Sequence, residues 1–289
     1  MSGKTYLVLR LGLLLGFGLI SNADAAYAAL ERPGFAITSL DGSGDIGQHS
    51  SVTIGTDGLA LISYYDATNG DLKVAHCSDT ACTSATLTTL DRTGDVGQYS
   101  SVTIGADGLG LISYFDATNG DLKVAHCSDT ACTAATLTTV DHTGNIGLFT
   151  SVTIGADGLG LISYFDATNG DLRMAHCSNL TCTSATGTTL SSEDNVGQFT
   201  AVTIGTDSRA LVSYYDATNG NLKVAHCVDT ACTSATPITV DQAGKIGQYS
   251  SVTIGADGLG LISYYDATNG DLKVAHCSNP ICVPYHRRR

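Results

Sequence analysis

The chain has 289 residues and a formal net charge of −13, with 27 Asp and Glu against 14 Lys and Arg. That balance excludes nucleic acid as a partner, because its binding rests on Lys and Arg neutralising phosphates, and it disfavours anionic glycans and lipid surfaces. Ten cysteines, 33 glycines and no tryptophan describe a turn-rich chain from an oxidising compartment.

Residues 1–25 read as a secretory signal peptide. Lys4 and Arg10 flank an apolar run, LGLLLGFGLI (11–20), and Ala23-Asp24-Ala25 supplies small residues for cleavage. Ten apolar residues are too few to cross a bilayer, so no membrane insertion is expected. The protein is expected to be exported, to periplasm or medium. Residues 26–33 are expected to be a linker.

From residue 34 the chain repeats itself every 50 residues. SVTIG stands at 51, 101, 151 and 251, with AVTIG at 201. Within a unit, SVTI (51–54) alternates, GTDG turns, LALISYY (59–65) follows, ATNG turns again, DLKVAHC (71–77) forms a third strand and TLTTL (86–90) a fourth. Four short antiparallel strands per repeat predict a propeller blade. The last copy, 251–283, lacks the fourth strand, and FAITSLDGSGDIGQHS (35–50) matches ATLTTLDRTGDVGQYS (85–100). The expected fold is therefore an all-β, closed five-bladed β-propeller over 34–283. Its units are 51–100, 101–150, 151–200, 201–250, and 251–283 completed by the N-terminal strand of 34–50. The tail PYHRRR (284–289) lies beyond the last blade.

The cysteines fall in five pairs of one spacing: Cys77 and Cys82, Cys127 and Cys132, Cys177 and Cys182, Cys227 and Cys232, Cys277 and Cys282. With an export signal, they predict five local disulfides. Zinc on His76 and Cys77 is disfavoured, since adjacent strand residues point to opposite faces. Calcium is disfavoured too, because D-A-T-N-G-D does not match the D-x-[DN]-x-[DN]-G spacing. No metal or cofactor is expected.

The repeat ADGLGLISYYDATNGDLKVAHC (256–277) resembles those of a group of secreted bacterial β-propellers. In architecture the chain is similar to propeller lectins of the five-bladed tachylectin type and the fucose-binding type. The fucose-binding type uses Arg, Glu and Trp between blades, whereas this chain has only Glu31 and Glu193 as glutamates and no Trp. The likeness to lectins therefore concerns architecture and implies no site.

On a propeller the loops after strands two and four share one face, which brings DATNGD (66–71) and DRTGDVGQY (91–99) together. Candidate binding residues in the first two units are Asp66, Asn69, Asp71, Asp95, Gln98, Asp116, Asn119 and Asp121. The later units supply Asp166, Asn169, Asp171, Asp216, Asn219, Asp266, Asn269 and Asp271. Tyr65 and Tyr99 offer aromatic faces to such a ligand. Each of these residues also has a turn-forming explanation, since Asn-Gly makes hairpin turns and a preceding Asp bonds turn amides. A Ser63–Asp66–His76 triad can be drawn, but a nucleophile repeated five times in a packed strand reads as structural. Glu193 and Asp194, in SSEDNVG, are the acids without counterparts in the other units. The expected function is a non-catalytic, lectin-like module, not an enzyme, that binds glycans multivalently. A scaffold for a surface protein is the alternative, and a polysaccharide-active glycoside hydrolase is a third.

Overall fold

The computed structural model describes residues 36–283. The signal peptide and linker expected over 1–33 lie outside the described residues, as do Gly34, Phe35 and the tail 284–289. Every regular element among the described residues is a strand.

Nineteen strands follow in chain order. The first sheet comprises β1 (Ile46–Ile54), β2 (Ala60–Asp66), β3 (Asp71–Cys77) and β4 (Ala85–Asp91), and the second β5 (Val96–Ile104), β6 (Gly110–Asp116), β7 (Asp121–Cys127) and β8 (Ala135–Asp141). The third comprises β9 (Ile146–Ile154), β10 (Gly160–Asp166), β11 (Asp171–Cys177) and β12 (Ala185–Ser191). The fourth comprises β13 (Val196–Ile204), β14 (Ala210–Asp216), β15 (Asn221–Cys227) and β16 (Ala235–Asp241), and the fifth β17 (Ile246–Ile254), β18 (Gly260–Asp266) and β19 (Asp271–His276). Within each sheet every strand pairs antiparallel with the next, the meander of a propeller blade.

The core lies between sheets. One cluster joins Leu61, Leu72 and Val74 of the first sheet to Val96, Val102, Ile112, Tyr114 and Cys127 of the second. Both faces of a blade are apolar, so a unit on its own would leave one of them in water. The inner strands are stitched directly: Ser100 Oγ donates to His49 O at 2.9 Å, and Val102 N donates to Ser51 Oγ at 3.1 Å. Outward of these, Gly97 (φ 106°) rests on β3, where an added Cβ would stand 2.8 Å from Leu72 Cα. Only glycine fits that backbone and that approach.

All five disulfides form as spaced, with Cα–Cα separations of 4.8–4.9 Å and no free cysteine among the described residues. Disulfides of this kind mark an exported protein.

The closure expected at the fifth blade is not made. The fifth sheet has three strands, and residues 38–41 belong to none. Leu272 and Val274 of β19 are 81% and 58% exposed, where Leu72 and Val74 are fully buried. Asp41 nevertheless accepts from Tyr64 Oη at 2.9 Å and Lys73 Nζ at 2.5 Å, the bonds Asp91 takes from Tyr114 and Lys123. The segment is thus held against the first blade by its aspartate, without the ladder to β19. A fourth strand has two anchorages, to its own sheet and to the next, and the repeat pattern does not separate them.

Candidate functional site

The DATNG turns are self-contained. Asp66 is 1% exposed; its Oδ1 accepts from Thr68 N and Asn69 N, both at 3.1 Å, and its Oδ2 from Asn69 Nδ2 at 2.9 Å. Asp116, Asp166, Asp216 and Asp266 are equally buried, and each accepts the same amide from Asn119, Asn169, Asn219 or Asn269. Bonds to Asn69 and Thr68 and the charge of Lys73 outweigh the burial that would raise Asp66, leaving its carboxyl below the usual range. Gly70 O accepts from Val96 N of the following blade at 2.9 Å, so the turn also carries the joint. Asp95 accepts from Tyr65 Oη at 2.6 Å and from Gln98 Nε2 at 3.2 Å. Tyr65 is buried at 7%, with no face open for stacking.

Tyr99 joins a row of rings contributed by the innermost strands. His49, Tyr99, Phe149, Phe199 and Tyr249 follow one another with ring centroids 4.4–4.7 Å apart. Each takes a left-handed backbone, φ 52–55°, at a register shift of its inner strand. The shift turns five consecutive-blade aromatics toward one another. Spacing of the aromatics at 49, 99, 149, 199 and 249 was the signal available in the sequence.

His76 and its equivalents pair elsewhere than the drawn triad. His76 Nε2 lies 2.9 Å from Asp57 Oδ2 in the β1–β2 turn, and Ser63 Oγ bonds Ser100 Oγ at 2.9 Å. The same His–Asp pair recurs in all five units. It fastens the third strand to the opposite face from the DATNG turns.

Between blades lies a constellation that the turn motifs do not show. At the joint of the first and second blades, Asp91 Oδ2 accepts from Tyr114 Oη at 2.9 Å and Lys123 Nζ at 2.5 Å, with Asp116 3.8 Å from the same ammonium. Burial works to raise the Asp91 carboxyl, and bonds from Lys123, Thr93 N and Tyr114 together hold it below the ordinary value. Tyr114 is pushed well above its own ordinary value by burial and by Asp91. Asp41 and Asp241 take the same bonds from Tyr64 with Lys73 and from Tyr264 with Lys273, and Asp141 from Tyr164 with Arg173.

The joint of the third and fourth blades departs. Ser191 stands where the others carry Asp. Tyr214 is fully buried, yet its Oη has no hydrogen-bond partner among the described residues, and neither has Ser191 Oγ. Lys223, 5% exposed, pairs instead with Glu193, whose side chain is 67% exposed. A buried hydroxyl without a partner costs about 1–3 kcal/mol, so this joint is weaker than its neighbours.

Above that joint opens a cleft of about 530 Å³, lined by Phe165, Thr168, Asn169, Asp194, Asn195 and Gln198 among others. Asp194 takes a left-handed backbone, φ 61°, and its carbonyl would lie 3.2 Å from a Cβ at Gly170, so the two loops touch. Asp171 follows Gly170 directly. Burial, and then the negative charge of Asp166, raise its carboxyl above the ordinary value. Asp71 and Asp121 are raised by the same causes, the fourth unit has Asn221 at this position, and Asp271 in the fifth is exposed. Asp171 is not itself in the cleft lining, but it follows Gly170, which lines the cleft with Asp194, an acid the other units lack. Among the described residues no cluster of His, Cys, Asp and Glu is arranged to hold a metal ion.

This fold and cleft define a five-bladed propeller with carboxylates at a blade joint. No protein-family model matches the chain, and no curated protein matches it in sequence. Among solved structures, it is similar to a GH43 β-1,3-galactosidase, with a TM-score of 0.54 and 11% identity over 85% of this chain and 59% of that one. A second GH43 β-1,3-galactosidase, solved with galactodeoxynojirimycin, gives a TM-score of 0.50 and 8% identity over 80% of this chain and 90% of that one. An α-L-arabinofuranosidase from Lactobacillus brevis gives 0.49 and 13% over 80% and 90%. At these identities the likeness establishes the fold. The expectation of a non-catalytic, lectin-like module is corrected to this extent: these similar structures are glycoside hydrolases, not lectins.

Proposed function

We propose that the protein is a polysaccharide-active enzyme that hydrolyses a glycosidic bond in the cleft between its third and fourth blades. The observation that carries the reading is Asp194, an acid with no counterpart in the other units, lining the cleft beside Gly170, whose next residue, Asp171, has its carboxyl raised by burial and by Asp166. Glycoside hydrolysis needs two carboxyl groups in different protonation states flanking the scissile bond. Asp171 serves as the general acid, giving its proton to the leaving oxygen. Asp194 serves as the base that takes a proton from water as it attacks the anomeric carbon. Asn195 and Gln198 supply donors and acceptors for sugar hydroxyls, and Phe165 an apolar wall. Glu193 is already engaged by Lys223 and takes no part in proton transfer. The net charge of −13 points to a neutral glycan as substrate, and the disulfides to work in periplasm or medium.

The test is release of reducing ends from a panel of neutral galactans, arabinans and xylans by the folded, oxidised protein. Asp171→Asn and Asp194→Asn are each expected to lower kcat by about 10²–10⁴-fold, and Asp107→Asn on the opposite face to leave it unchanged. No hydrolysis across the panel, or an Asp171→Asn variant as active as the parent, overturns the reading.

A further inference from the structure

We infer that the joint of the third and fourth blades is a binding site for a small monovalent anion of the chloride class, seated among Tyr214 Oη, Ser191 Oγ and Lys223 Nζ. The three other joints, and the N-terminal segment that sets Asp41 against the first blade, are the internal precedent. In each, one carboxylate oxygen sits against a tyrosine hydroxyl, at 2.8–2.9 Å, and against a lysine or arginine. The fold therefore builds the same anion-accepting pocket at each blade and fills four of them covalently with Asp41, Asp91, Asp141 and Asp241. At the remaining joint the tyrosine and the cation are kept while the carboxylate is replaced by the shorter Ser191.

Two observations point independently to a ligand. Tyr214, fully buried, and Ser191, 5% exposed, both carry hydroxyls without a partner among the described residues. Ser191 Oγ lies close enough to Tyr214 Oη to offset part of the upward push that burial gives the tyrosine, without a hydrogen bond of good geometry closing between them. Separately, Glu193 replaces the missing charge without replacing the missing acceptor. It reaches Lys223 from the exposed side and does not bond Tyr214. An anion in the pocket accepts from both hydroxyls and from the ammonium. It then displaces Glu193, because two negative charges on one cation beside Asp216, 3.9 Å from Lys223 Nζ, repel. The exposed position of Glu193 makes that exchange a short swing into water. The count of charges, one cation with two anions, then equals that of the other joints.

The site does not depend on the hydrolytic reading, and its test does not use activity. The melting temperature of the disulfide-intact protein is measured against sodium chloride, with sodium gluconate holding ionic strength constant. A saturable upward shift with chloride alone is expected. Glu193→Gln should reach the same plateau at lower chloride, having removed the competitor. Ser191→Asp should melt higher without chloride and lose the chloride dependence. Bromide soaked into crystals should give an anomalous peak between Tyr214 and Lys223. Equal curves in chloride and gluconate, or a Ser191→Asp protein that still responds to chloride, overturn the proposal. Should Ser191→Asp fail to fold, the Glu193→Gln titration and the bromide peak decide alone.

Discussion

The joint of the first and second blades and that of the third and fourth both keep a tyrosine and a lysine, and differ where Asp91 and Thr93 of the one give way to Ser191 and Glu193 of the other. At the first, Asp91 satisfies Tyr114 and Lys123 together. At the other, Ser191 satisfies neither, and Glu193 reaches in from solvent for the lysine only. The contrast separates two things a buried carboxylate does, neutralising a cation and accepting a hydrogen bond. A charge can be supplied from the surface, while the acceptor has to be inside.

The comparison can be broken by mutation. The largest effect is expected from Asp91→Ala, which strands Lys123 and Tyr114 in the core; losing one partner of a buried pair costs about 3–5 kcal/mol. Ser191→Ala should cost under about 0.5 kcal/mol by chemical denaturation, because no partner is lost. Next comes the tyrosine pair. Tyr114→Phe should destabilise by about 1–2 kcal/mol through the bond lost to Asp91. Tyr214→Phe should be neutral or stabilising, since it removes an unsatisfied hydroxyl. Equal losses for the two would refute the difference between the joints.

Acid sharpens the same contrast. The Asp91 carboxyl is held below its ordinary value, against its burial, by bonds from Lys123, Thr93 N and Tyr114. Asp41 is lowered first by the bond from Lys73; at Asp241 bonds from Lys273 and Tyr264 overcome burial. A depressed carboxyl contributes stability above the unfolded value, about 3.9, and that stability is lost as pH falls through the lower folded value. Denaturation midpoints should therefore be flat above about pH 5 and fall below pH 4, and Asp91→Asn should shallow that fall. The smallest effect belongs to the opposite face. His126→Gln loosens a partly exposed pair with Asp107 and should cost under about 1 kcal/mol.

Much of the architecture was readable because its cause is local. SVTIG every fifty residues, turn residues at fixed offsets and a five-residue cysteine spacing each specify structure within one unit. The blade joints were less readable because their partners lie 23 and 32 residues apart in different units, as Tyr114 and Lys123 do from Asp91. The histidine's structural role was readable, but its partner was not, because Asp57 lies 19 residues away in another turn. The exceptional joint did leave a trace. Asp41, Asp91, Asp141 and Asp241 give way to Ser191 at one position. The inner-strand aromatics were noticed only as Tyr99, because a left-handed residue at a strand bulge leaves no mark in an alternating pattern.

The disulfides have a consequence for how the chain matures. Ten cysteines in near-identical surroundings offer many wrong pairings between repeats, and chemical identity cannot tell one HC segment from another. Proximity along the chain can. Each cysteine closes a five-residue loop with its own partner, and short closures outrun long ones in an unfolded chain. Oxidation can therefore proceed unit by unit as the polypeptide emerges, ahead of blade assembly, with little need for an isomerase to sort one repeat from another.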